Sequence, residues 1–150
     1  MNSFNTGKAI EILLIEDSED DIYFMEEALR KAKLNNKLYT FKDGEAALSF
    51  LYNKENFIYS SYPDLIFLDL NLPKKSGLEI LREIKSNPEL KKIPVAVLTS
   101  SHETADIQKA YELYANCYVC KPVGFDELVS VIQKFNHFWI EVVKLPNRED

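Results

Sequence analysis

The chain has 150 residues, enough for one well-buried domain and too few for two comfortable ones. With 24 acidic against 18 basic side chains its net charge is −6, which excludes a general nucleic-acid-binding surface built on clustered Lys and Arg. The apolar stretch Ala9–Ile15 is interrupted by Glu11 and runs straight into acid, so it is too short for a membrane span and lacks the start and cleavage site of a signal peptide. A cytoplasmic protein with no membrane association is expected.

Residues 10–15 (IEILLI) read as a first strand ending in Glu16-Asp17, and Ser18 is a good helix N-cap with Asp21 three residues on. Ile22, Met25, Leu29 and Ala32 then recur at helical spacing to about Leu34. Lys37–Lys42 alternates like a strand, and Asp43-Gly44 opens a helix carrying Ala47, Leu48, Leu51 and Tyr52. A polar and aromatic loop, NKENFIYSSYPD, leads into the apolar run LIFL, which ends at Asp69. A helix is predicted over Ser76–Ser86 on Leu78, Ile80, Leu81 and Ile84, stopped by Asn87-Pro88. Pro94–Thr99 reads as a fourth strand, Glu103–Tyr114 as a helix, Tyr118–Cys120 as part of a fifth strand, and Phe125–Val143 as a long last helix.

Strand and helix thus alternate along the chain, and the strands are continuously apolar, which predicts a doubly wound α/β fold: a five-stranded parallel sheet with helices on both faces. Ligands in such sheets bind at the carboxyl ends of the strands, where strand order reverses. There the sequence collects Glu16, Asp17, Asp69, Thr99 and Lys121. Carboxylates brought together repel unless a cation joins them, and oxygen ligands with room for water suit Mg²⁺. A carboxylate with a metal, a Lys ammonium and a hydroxyl around it is equipped to accept a phosphoryl group. Only four glycines are present, so no Gly-rich phosphate loop competes with that assignment.

The set IEDS, LDLNLPKKSG, VLTSS and YVCKP resembles the receiver domain of two-component response regulators, with a flavodoxin-like fold, over essentially the whole chain. Four separated motifs agree in order and approximate spacing. The resemblance implies that Asp69 is the phosphoacceptor, that Asp17 binds Mg²⁺ directly, Glu16 through water and Asn71 through its backbone carbonyl, and that Thr99 and Lys121 contact the phosphoryl group. Tyr118 falls at the aromatic switch position, although on its own it reads more readily as a core residue. Glu16 departs from the commoner Asp, and its extra methylene still permits a water-mediated contact. The resemblance also implies a cis bond before Pro122, whereas the sequence alone favours trans.

Two other classes fit less well. Hydrolases that form an aspartyl phosphate carry a general acid two residues after the nucleophile, and Asn71 at that position transfers no proton. A flavin carrier of the same fold needs a phosphate-cradling loop after the first strand, where this chain has acidic IEDSEDD. A receiver that has lost phosphorylation and serves as a scaffold is disfavoured by the intact quartet of motifs. The Cys117-x-x-Cys120 pair lies in a strand, where positions i and i+3 face opposite ways, and is read as structural thiols.

The chain is expected to be one receiver unit over 1–150, with a core of about 9–135 and a helical extension of about 136–145. It is expected to end without an output domain and to catalyse only its own phosphorylation and dephosphorylation. Its IEDS, lengthened aromatic loop, DLNLPKKSG and FWIE resemble the stand-alone receivers that work with phytochrome-like sensor histidine kinases. The apolar Phe135, Phe138, Trp139 and Val142 are candidates for a homodimer surface, because a helix packed on a sheet buries about half of such a stripe.

Overall fold

The computed structural model describes residues 9–142, with side chains through Trp139. Five parallel strands, β1 (Ile10–Ile15), β2 (Asn36–Phe41), β3 (Leu65–Leu68), β4 (Val95–Thr99) and β5 (Cys117–Cys120), lie in the order β2-β1-β3-β4-β5. Strand order therefore reverses beside β1, where Ile15 pairs with Leu68 of β3 on one side and Phe41 of β2 on the other. The helices are α1 (Glu19–Lys31), α2 (Gly44–Tyr52), α3 (Gly77–Ser86), α4 (Thr104–Glu112) and α5 (Phe125–Phe135).

Side chains of a strand alternate between faces, so the continuously apolar central strands supply two cores. Leu13, Ile15, Ile66, Leu68, Val95 and Val97 pack with Ala47, Leu51, Ile80, Leu81, Ile84 and Ala110 of α2, α3 and α4. Ile12, Leu14, Leu65, Phe67, Ala96 and Leu98 pack with Met25, Ala28, Leu29, Val129 and Ile132 of α1 and α5. Three of the helices begin on side-chain caps, of which Ser18 is the one named from sequence. Ser18 accepts from the Asp21 N–H, Asp43 from the Ala46 N–H, and Ser76 with Glu79 forms a reciprocal capping box.

Glu11, which breaks the apolar run of β1, is 1% exposed. Its carboxylate accepts the Tyr39 hydroxyl at 2.8 Å and the backbone N–H groups of Ile58 and Tyr59 at 3.0 Å. A charge in a central strand is tolerated because three donors replace its water. The same bonds pin the long aromatic loop across the amino edge of the sheet, away from the strand ends that carry Asp69. Burial, then the Glu11 carboxylate, pushes the Tyr39 hydroxyl up to about 12.

The C-terminal segment departs from expectation. The helix over Phe125–Val143 is α-helical as far as Phe135 and continues as a π-helical stretch over Asn136–Val142, while Val143 lies outside the described residues. Phe135, expected at a dimer surface, belongs to the core: it is 9% exposed and its ring meets Phe67 edge-on at 5.2 Å. It follows Ile132 and Leu128 on the stripe that faces the sheet, and helical geometry carries it inward with them. Trp139, one turn on, packs partly buried against the same cluster, whereas Phe138 is 54% exposed. The Val142 side chain is outside those described.

Both cysteines are free and half-buried, since β5 is an edge strand. Burial pushes the Cys117 thiol up to about 11, which makes it a poor nucleophile.

Candidate functional site

The site forms where β1 and β3 end side by side. The Glu16 N–H donates to Phe41 O and the Asp69 N–H to Ile15 O, so both residues are held by ladder bonds immediately past their strands. Glu16 and Asp69 are buried and Asp17 is exposed, and one carboxylate oxygen from each lies within 4.8 Å of the others. Asp69 Oδ1 accepts the Asn71 N–H at 3.3 Å, which fixes the carboxylate against the loop that follows it. From β5, Lys121 reaches in, its backbone N–H bonded to Thr99 O at 2.7 Å. Its ammonium lies 2.6 Å from Glu16, 2.7 Å from Asp21 and 3.2 Å from Asp69.

One ammonium is thus shared by three carboxylates, with Asp17 close by, and the cluster carries excess negative charge. Burial, and secondarily the Asp69 charge, push the Glu16 carboxyl up to about 7 despite its contact with Lys121. Burial alone would lower the Lys121 ammonium, but Asp21 and Glu16 more than offset it and hold it above its usual range. Lys121 therefore stays charged while the acids strain against one another. Such a hard, oxygen-rich, partly open donor set fits a small divalent cation with room for water. Thr99, at the end of β4, is fully buried, and its hydroxyl oxygen has no hydrogen-bond partner, a cost that an arriving acceptor would remove.

The residues predicted from sequence to meet, Glu16, Asp17, Asp69 and Lys121, do meet. Asp21 was expected to serve only the helix start and instead bonds Lys121 across 100 residues of chain. Its place in the first turn of α1, directly above the end of β1, was the signal that could have found it. The expected cis bond at Pro122 is not formed, since no peptide bond among the described residues is cis. The ordinary preference of an X–Pro bond for trans suffices, because Lys121 reaches the carboxylates from that form.

Tyr118 donates its hydroxyl to Ser101 O at 3.0 Å and packs partly buried against the core, so its ring is tied to the loop between β4 and α4. Ser101 in turn donates to Asp106 at 2.6 Å. The Tyr118 N–H, on the open edge of the sheet, finds the Tyr111 hydroxyl of α4 at 3.1 Å.

Gly77 opens α3 directly beneath Asp69. A Cβ there would lie 2.3 Å from Asp69 O and 2.5 Å from Leu70 Cα, and backbone cannot yield as a flexible side-chain tip can. Gly77→Ala is expected to destabilise the fold by about 2 kcal/mol or more, which urea denaturation would measure.

A five-stranded parallel sheet bearing acids after β1 and β3, a hydroxyl on the last residue of β4 and a lysine after β5 defines a receiver-type signalling domain. The response regulator receiver domain profile matches residues 12–133, and the chain belongs to that family. It is 46% identical over 135 residues to the response regulator Rcp1 of Synechocystis, spanning 90% of this chain and 92% of Rcp1. The Mn²⁺-bound crystal structure of Rcp1 superposes with a TM-score of 0.79, covering 91% of this chain and 98% of that one. The phosphorylated cyanobacterial phytochrome response regulator RcpA, 40% identical, gives 0.84 over 93% of this chain and all of RcpA (100%). The receiver domain of a sensor histidine kinase from Pseudomonas aeruginosa, with magnesium coordinated in its active-site cleft, is 25% identical with a TM-score of 0.67, over 85% of this chain and 97% of that one.

Proposed function

We propose that this receiver takes a phosphoryl group onto Asp69 from the phosphohistidine of a phytochrome-like sensor histidine kinase, with Mg²⁺ held by Glu16, Asp17, Asp69 and the Asn71 carbonyl. The observation that carries this is the buried Asp69 carboxylate, within hydrogen-bond reach of Lys121 and grouped with Glu16 and Asp17. An oxygen of Asp69 bonds to phosphorus as the P–N bond of the donor breaks, and the electron pair of that bond returns to the imidazole. Lys121 meets the charge of the transferring group, and the Thr99 hydroxyl donates to one of its oxygens. Bound Mg²⁺ supplies the positive charge that lets an anionic group approach acidic side chains. Water attack on phosphorus later breaks the acyl-phosphate bond and restores the carboxylate, so the catalysis serves only this chain's own phosphorylation state.

The likeness to RcpA, a phytochrome response regulator, supports a phytochrome-type kinase as donor, and the likeness to Rcp1 supports a response-regulator role. A single receiver unit with a core of about 9–135 is consistent with the family match to residues 12–133. Among the described residues no helix is long and apolar enough to cross a membrane, which accords with a cytoplasmic site of action. Transfer is tested by mixing the chain with phosphorylated kinases: a phytochrome-type donor should lose its label to this chain within the time a non-cognate donor keeps it. Loss to no histidine kinase would refute the proposal.

A homodimer through the C-terminal segment is part of the same proposal, now centred on the exposed Phe138 beside Trp139, whose rings meet edge-on at 6.1 Å. Phe138→Ala is expected to weaken self-association by ~2 kcal/mol, as truncation of an aromatic anchor does, and Phe135→Ala to lower stability instead. Sedimentation of both variants separates the two effects; a wild type that stays monomeric at high concentration refutes the dimer.

A further inference from the structure

The Lys121 ammonium donates hydrogen bonds to Asp21 at 2.7 Å and to Asp69 at 3.2 Å and forms an ion pair with Glu16 at 2.6 Å. Glu16 and Asp69 belong to the cation-binding trio, but Asp21 does not. It sits on the first turn of α1 with its side chain 39% exposed, and it holds Lys121 more closely than Asp69 does. We propose, resting on the phosphoacceptor role of Asp69, that Asp21 is a positioning residue that competes with the phosphoryl group for Lys121 and thereby sets how tightly Asp69 holds it.

The chemistry follows from charge and placement. A cation at the trio draws on the oxygens of Glu16 and Asp69 and weakens their hold on Lys121, but it leaves Asp21 to keep its bond. Asp21 is therefore the carboxylate that goes on holding the ammonium once the cation is bound, and its exposure lets water take over that carboxylate when Lys121 turns to the phosphoryl group. Lys121 also borders a cavity of about 160 Å³ lined by Phe24, Met25, Leu98 and Leu128, so its side chain has room to change direction. The negative charge of Asp21 opposes a second anion at the same ammonium in any case.

The test is the affinity of beryllofluoride, an unreactive phosphoryl mimic, measured by calorimetry at saturating Mg²⁺. Asp21→Asn and Asp21→Ser are expected to bind it roughly two- to fivefold more tightly than wild type, the range for a partly exposed ion pair. Asp21→Glu, which keeps the competing charge, should match wild type, and Asp20→Asn, which removes a neighbouring charge in the same turn, should change little. Unchanged or weaker binding in the Asn and Ser variants overturns the proposal. So does an equal gain in Asp21→Glu or Asp20→Asn, which would make the effect one of local shape or bulk charge. A wild type that binds no beryllofluoride with Mg²⁺ overturns instead the phosphoacceptor role of Asp69.

Discussion

Asp69→Asn is expected to take up no phosphoryl group under conditions in which wild type should gain one phosphate by intact mass with Mg²⁺ and a small phosphodonor. An amide oxygen cannot serve as the nucleophile that carboxylate chemistry requires. The substitution is isosteric and still offers an acceptor, so the loss should occur without unfolding. Indeed the variant should be as stable as wild type or more so without metal, because it removes one of the charges crowded around Lys121. Asp17→Asn should fold equally well and lose most of its Mg²⁺ affinity, since its exposed carboxylate is expected to contact the ion directly. Equal phosphate uptake by Asp69→Asn would move the acceptor to another acid. Equal Mg²⁺ affinity in Asp17→Asn would remove that residue from the metal site.

Much of this arrangement is legible in the sequence because a parallel sheet makes strand ends converge. The apolar runs before Glu16, Asp69 and Thr99 each predict a strand, and β1, β3 and β4 lie next to one another in the sheet. Ser18 declares itself as a cap by residue type and spacing and caps as read, and Asp43 caps the helix that Asp43-Gly44 was read to open, whereas Ser76, read as the first residue of its helix, is its cap. What sequence spacing does not carry is which tertiary partner a polar side chain finds. Glu11 looked like an interruption in an apolar strand and is the anchor of a distant loop. Asp21 was assigned to the helix start, where an acid is favourable anyway, and the local explanation hid the contact made across the sheet edge by Lys121. Phe135 and Phe138 are adjacent on a hydropathy profile, and only the helical phase at the end of α5 separates a core ring from an exposed one. The tight approach of Gly77 to Asp69 likewise depends on how α3 is set under β3, which no local pattern reports.

The stability of the metal-free protein should fall as pH rises from about 4.5 to about 7, and Mg²⁺ should abolish that fall. Glu16 is held near pH 7 in the folded state against an ordinary value of 4.5, because burial and the Asp69 charge penalise its ionised form. Between those two values the folded state binds more protons than the unfolded state, so raising the pH favours unfolding. The stabilisation from a neutral Glu16 is complete below 4.5 and is lost once pH passes about 7. At about 1.4 kcal/mol per pH unit over this window the full loss is roughly 3 to 4 kcal/mol. Lys121 does not oppose the trend, since its raised folded value keeps it charged throughout this window. A divalent cation bound among Glu16, Asp17 and Asp69 favours their ionised forms, so its binding should release a proton near neutral pH and stabilise the fold by mass action. Glu16→Gln removes the titrating group and should flatten the metal-free profile while costing little stability at neutral pH. Thermal melts from pH 4.5 to 8, with and without saturating MgCl₂, read all three effects. A metal-free wild type whose melting temperature rises through this range, or a Glu16→Gln profile that still falls as steeply, would place the strain elsewhere than at Glu16.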